Sequence, residues 1–230
     1  MTLHARSEER AKAARAGAPG AQAALVGDLA SIDAVRDLAA AANSLGRHDA
    51  VIHNAAVGYR EPRVETVDGL EHVFAINVLA PYLLTALLER PQRLVYLSSG
   101  MHRGGEADAG DLQWHRRPWN GSQAYADSKL WDAVLAFAVA RRWPQVLSNA
   151  VEPGWVATKM GGPSAPDDLG LGAVTQSWLA VSDDPAARVS GVYFRHQRPQ
   201  ETHPAVADEN VQERLLEACA AITGTPLPAA

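Results

Sequence analysis

The sequence predicts an open α/β fold in which a doubly wound parallel sheet carries helices on both faces. Three observations lead there. Short apolar runs bounded by turn residues alternate with helix-length periodic stretches, the pattern of parallel strands joined by crossover helices. The run Arg93–Leu97 ends abruptly in two hydroxyls, Ser98 and Ser99, as strands of such sheets do where they present groups to a ligand. The chain has 230 residues, 47% hydrophobic and 20% charged, which is enough for one sizeable core, so a single domain over residues 1–230 is expected.

Taken in order, Met1 to Ala5 reads as the end of a strand, followed by the charged, Ala-rich helix Ser7 to Ala16 and a Gly/Pro break at Gly17 to Gly20. Strand Ala23 to Val26 leads to helix Ser31 to Leu45, with Ser31 as the candidate N-cap, and then to strand Ala50 to His53. A polar loop after Gly58 precedes an apolar helix from Val73 to Leu88. An irregular, Gly-containing segment from Gly100 to Gly121 separates the Ser98 strand end from a long helix, Ala124 to Trp143, where Leu130, Val134, Leu135, Ala138 and Val139 recur at helical spacing until Pro144 stops it. Strand Val146 to Val151 follows. The segment Trp155 to Gly172, rich in Gly and Pro, reads as a mobile lid; helix Ala173 to Val181, strand Gly191 to Phe194 and helix Asp208 to Ile222 close the domain.

Composition limits the function. A formal charge of -5 argues against a nucleic-acid or anionic-membrane partner, which basic patches would serve. No run approaches the ~20 apolar residues of a membrane helix, and the N-terminus lacks the apolar core of a signal peptide. The lone cysteine, Cys219, lies among Leu215, Leu216 and Ile222 and reads as a small packed apolar residue, which fits a reducing, cytoplasmic setting. The eight histidines show no metal-ligand spacing, and there is no nucleophile elbow. Trp114, Trp119 and Trp131 read as core or pocket wall rather than stacking platforms for bases.

Within the long helix, Tyr125 and Lys129 stand four residues apart, so their side chains share a face. A tyrosine of pKa about 10 transfers a proton poorly at neutral pH, and a nearby ammonium favours its phenolate, which makes proton transfer at a carbonyl or alcohol oxygen feasible. The alternative for Tyr-x-x-x-Lys alone is a solvated surface pair. Asn77, a polar amide inside an apolar helix, must be capped, paired or functional.

With Asn77, Ser99, Tyr125 and Lys129 in this order, the chain resembles the short-chain dehydrogenase/reductase family. The resemblance implies that these four form the catalytic tetrad. The long interval from Ser99 to Tyr125, with Asp111-Leu-Gln-Trp114 inside it, and the terminal Ser190-Gly-Val-Tyr-Phe194 are similar to the retinol-dehydrogenase-like branch. A Rossmann-like fold binding NADP, with NAD less favoured, is what this implies. Arg6, with uncharged Ala5 before it, matches a position that accepts a ribose 2′-phosphate; Asp28 and Leu29 match the adenine pocket; Asn54, Ala55 and Ala56 match the stretch by the adenosine ribose. Pro153, Gly154, Val156 and Thr158 match the nicotinamide end, and Tyr125 and Lys129 also meet the cofactor. Substrate would be a small carbonyl or alcohol, with apolar or aromatic character suggested by the Trp, Met160 and Leu residues of the two flanking segments. Homodimerisation through the Tyr125 helix is common in the family, and nothing in the residues decides it.

What the family pattern has and this sequence lacks is a first strand and a glycine-rich turn that cradles the pyrophosphate. The fold is therefore expected as an N-terminally truncated version, without first strand and first helix, leaving two strands each short of a neighbour. The expectation follows that Met1 is a misplaced start, and that the chain as it stands binds NADP(H) feebly and turns over little. The rival expectation is a non-catalytic binding or scaffold protein on the same fold.

Overall fold

The computed structural model describes residues 1–230. Its strands form two separate sheets. Strands β1 (Thr2–Ala5) and β2 (Ala23–Val26) pair in parallel, and β3 (Ala50–His53), β4 (Arg93–Leu97), β5 (Leu147–Glu152), β6 (Tyr193–Arg195) and β7 (Arg198–Pro199) follow one another in a five-stranded sheet. Pairing is parallel from β3 to β6, and only β7, a two-residue strand with no sequence signal, runs antiparallel. The expected gap is present: β1 hydrogen-bonds only to β2, and β3 only to β4.

Helices fill the connections. These are α1 (Glu8–Gly17), α2 (Ile32–Ser44), the short α3 (His72–Phe74), α4 (Ala80–Leu87), α5 (Gly121–Arg142), α6 (Val174–Val181) and α7 (Glu209–Thr223). Ser31 caps α2 as expected, its hydroxyl accepting from Ala34 N. Between α3 and α4 the backbone widens into a π-turn, Ala75–Leu79, where an uninterrupted α-helix was expected. Such bulges insert one residue into the ladder and gather at functional sites, and Asn77 sits at the centre of this one.

Alternation along β4 divides the core. Leu94 and Tyr96 face the larger cluster, built with α2, α4, α5 and α7, whereas Val95 and Leu97 face a smaller one with Leu179 of α6 and Phe194 of β6. Cys219 lies in the larger cluster, fully buried among apolar neighbours. Helix α5 is buried from Ala124 through Ala136, so it runs through the core rather than over its surface. The two sheets are joined through helices: Asn43 of α2 donates to Leu87 O and accepts from Glu89 N, both at 2.9 Å.

Candidate active site

Because β1 to β6 are parallel within their sheets, their C-terminal ends deliver Arg6, Asp28, Asn54, Ser99 and Pro153 to the connections where ligands of open α/β sheets bind. Tyr125 and Lys129 come from the second and third turns of α5, whose N-terminus Asn120 caps through Gln123 N at 3.1 Å. Both side chains are buried, Tyr125 at 7% exposure and Lys129 at 3%, which rules out the solvated surface pair. The Lys129 ammonium lies 5.7 Å from the Tyr125 ring centroid.

Lys129 is held by two acceptors, Leu97 O and the Asp132 carboxylate, each at 2.7 Å. Asp132 was not singled out from the sequence, though its place at i+3 from Lys129 is a usable signal. Burial pushes its carboxyl up to about 6, against the opposing pull of the Lys129 ammonium. Ser98, the hydroxyl before Ser99, is structural: it donates to Lys129 O at 2.7 Å and so ties the end of β4 to α5. Ser99 remains partly exposed, its Oγ accepting only a long 3.3 Å bond from Met101 N. Its carbonyl accepts from His102, both from the main-chain N–H and, at 2.7 Å, from ring Nδ1. Burial lowers the His102 pKa to about 4, so the ring is neutral at physiological pH.

The Asn77 side chain is fully engaged. It accepts from Val57 N at 2.8 Å, and donates to Val57 O at 3.1 Å and to Ser128 Oγ at 2.9 Å, while Ser128 in turn donates to Tyr125 O. The π-turn is thereby stitched both to the loop after β3 and to the helix carrying Tyr125.

The expected cofactor positions behave unequally. Arg6 is exposed, with no hydrogen bond or ion pair to its side chain. Asp28 is exposed and makes a local turn, accepting from Ala30 N at 3.0 Å. The Leu29 side chain instead packs in the large core cluster, which leaves only its main chain free to meet a ligand. Asn54 and Ala55 are exposed and Ala56 is half-buried; Asn54 makes no side-chain hydrogen bond, and no strand pairs with that side of β3.

After β5, Gly154 adopts φ +90°, and a Cβ there would sit 2.6 Å from Asp167 Oδ2, so glycine is required twice over. Asp167 accepts from Trp155 N at 2.6 Å, bridges to Arg195 at 3.4 Å and pairs by backbone with Val156. Thr158 is exposed and accepts from Gly161 N at 3.1 Å. The segment read as a lid is thus a loop folded back on itself and pinned at Asp167, with Trp155, Leu169 and Leu171 exposed on it.

The Ser99-to-Tyr125 insertion is anchored by a cluster that sequence reasoning missed. Arg117 bonds Asp127 at 2.7 Å and Glu106 at 2.8 Å, approaches Asp111 at 3.4 Å, and stacks its guanidinium 3.7 Å from the Trp114 ring centroid. Asp127 lies between Tyr125 and Lys129, so the insertion is fastened to the stretch of α5 that carries this pair. Trp114 and Trp131 are buried, as wall and core.

A parallel α/β sheet with a buried Tyr-Lys pair beside a strand-end serine is an arrangement that oxidoreductases use, and comparison with known proteins gives the family. The family model described as Enoyl-(Acyl carrier protein) reductase matches residues 1–180. The chain is 41% identical to the short-chain dehydrogenase chyC of Penicillium rubens over 99% of this chain and 89% of that protein, and 33% identical to human retinol dehydrogenase 13 over 87% and 68%. It superposes on a crystal structure of a protein from Mycobacterium paratuberculosis with a TM-score of 0.83, at 25% identity, covering 99% of this chain and 85% of that one. A metagenomic blue fluorescent protein solved in complex with NADPH has the same fold, with a TM-score of 0.59 at 22% identity over 84% of each chain. This chain belongs to the short-chain dehydrogenase/reductase family, with homologues that include a retinol dehydrogenase. No helix is long and apolar enough to cross a membrane.

Proposed function

We propose that this chain is built for hydride transfer between NADP(H) and the carbonyl or alcohol carbon of a small apolar or aromatic molecule. The observation that carries the reading is the burial of Tyr125 and Lys129 on one face of α5, adjoining the end of β4 that holds Ser99. Charges placed there act through protein rather than bulk water. When bound, the nicotinamide supplies or takes the hydride. Tyr125 gives the proton to the carbonyl oxygen in the reductive direction, Ser99 Oγ orients that oxygen, and Lys129 places positive charge beside the phenol and holds the ribose. The Asn77 side chain is spent on Val57 and Ser128, so its part in a proton relay falls to the main chain of the π-turn.

The residues fit the cofactor at its two ends. Arg6, exposed and free of any acidic partner, suits a ribose 2′-phosphate, and Ala5 brings no carboxylate to repel it. Asp28, the Leu29 main chain and Asn54 to Ala56 flank the adenosine; Pro153, Gly154, Val156 and Thr158 flank the nicotinamide. The middle fits less well. The first turn of α1 carries Glu8 and Glu9 and offers no glycine amides to a diphosphate. That observation favours a second reading, a binding or scaffold protein that keeps the fold without turnover.

One experiment separates them. The protein and Tyr125→Phe are titrated calorimetrically with NADPH and NADH and assayed for NADPH oxidation on aromatic and aliphatic ketones and aldehydes. The reading expects turnover that falls about a hundredfold or more in Tyr125→Phe, with NADPH affinity kept within a few-fold. Turnover in the variant near the unsubstituted level would sink the proton-donor role. Binding of cofactor or carbonyl ligand without turnover in either protein would establish the second reading.

A further inference from the structure

A lysine ammonium has three N–H groups, and in this site two are already committed. One goes to Leu97 O on β4 and one to Asp132, three residues on along α5. A single N–H is left for the ribose or the Tyr125 side. Tyr125, Ser128, Lys129 and Asp132 fall at i, i+3, i+4 and i+7, one continuous stripe of the helix, and Asp132 is only 2% exposed. Resting on the reading of Tyr125 and Lys129 above, we infer that Asp132 is a positioning residue of this site: its carboxylate anchors the Lys129 ammonium and balances its charge, and its protonation loosens that anchor.

Lys129, on the same helix, is the charged group that acts on this carboxyl, whose own charge in turn disfavours ionisation of Tyr96 on β4. Lys129 favours the carboxylate; burial opposes it and wins, so Asp132 takes up its proton at about pH 6, where a solvated aspartate would be ionised. The carboxylate contacts the lysine directly in a buried interior, where loss of one partner leaves the other uncompensated. Acidification through that range therefore removes the anion from the Lys129 contact and leaves it neutral acceptors, Leu97 O among them, so that its geometry toward Tyr125 relaxes.

The test begins with the protein free of cofactor. Carbon-13 NMR of aspartate-labelled protein should show one carboxyl titrating near pH 6, assigned through bonds and missing from Asp132→Asn. Turnover with NADPH should fall below about pH 6 in the unsubstituted enzyme, whereas Asp132→Asn should be about ten- to a hundredfold slower and lack that acid limb. A buried structural aspartate with no link to Lys129 would lower stability without removing the limb. An Asp132 carboxyl titrating in the ordinary range, or an acid limb unchanged in Asp132→Asn while Tyr125→Phe is inactive, would overturn the inference. If Asp132→Asn does not fold, Asp132→Glu, which keeps the anion, takes its place: an acid limb that moves with the new carboxyl's titration supports the inference, and an unmoved limb overturns it. Retained turnover in Tyr125→Phe would instead sink the underlying reading, and the two failures are thus distinct.

Discussion

Acid should unfold this protein partly through His53. The ring lies at the end of β3, 8% exposed, stacked on Tyr96 with centroids 4.7 Å apart. Its Nε2 is 3.2 Å from Thr85 Oγ1, which donates to Pro81 O and also meets Tyr96 OH at 2.7 Å. With the threonine proton committed to Pro81, the histidine and the tyrosine both serve as donors, which sets a neutral Nε2–H tautomer. No acid faces the ring, and burial lowers its pKa to about 3. In the unfolded chain the ring protonates near 6.5, so below that pH the unfolded state binds the extra proton. Stability is therefore present above 6.5 and is lost as pH falls toward 3. Taking those two values, the loss between about pH 7.5 and about pH 5 is about 2 kcal/mol. Against a typical total of about 5–15 kcal/mol, that is measurable. Urea titrations at the two pH values, for the protein and for His53→Gln, give the quantity as a double difference in which His102 and the carboxyls cancel. The substituted protein should lose about 2 kcal/mol less on acidification. Equal losses, within about 0.5 kcal/mol, would refute the burial argument.

Two further substitutions probe the binding surface and the insertion. Arg6→Asp should move the ratio of kcat/KM from NADPH toward NADH, because an anion replaces the partner of a 2′-phosphate and can bond a free hydroxyl; a constant ratio in paired assays would exclude Arg6 as the discriminator. Arg117→Met should cost about 3–5 kcal/mol in denaturant titrations, since it strands the buried carboxylates of Asp111 and Asp127, whereas a loss below about 1 kcal/mol would show that the cluster behaves as solvated surface charge.

Strand and helix periodicity made most of the fold legible. Each predicted strand and helix is present, with ends shifted by at most three residues, because periodicity reports the middle of an element and local capping decides its limits. The π-turn at Ala75–Leu79 was not legible, because widening one helical turn leaves the apolar pattern almost unchanged. At the site, the spacing of Tyr125 and Lys129 was sufficient to place them together. Leu29 shows the opposite limit: the residue is where a cofactor contact was expected, yet its side chain belongs to the core. The Arg117 cluster joins Glu106, Asp111 and Asp127, and charges in an irregular loop carry no period by which to foresee such a meeting.

The polar residues of α5 explain why one helix can hold the chemistry in place. Asp127, Ser128, Lys129 and Asp132 are all buried, and the first three reach three different parts of the molecule, Asp127 to Arg117 of the insertion, Ser128 to Asn77 of the π-turn and Lys129 to Leu97 of β4, while Asp132 pairs with Lys129 on the helix itself. A buried group of this kind is costly unless its partner is fixed, so the helix can be buried only when insertion, π-turn and strand are all correctly seated. Folding and site assembly thus become one condition. A loosely docked insertion would leave the Asp127 charge with only the Gln123 amide, two residues from Tyr125, and a shifted π-turn would release Ser128 beside Lys129. Substitutions in those outlying segments should therefore alter the Tyr125 site even though none of them touches it.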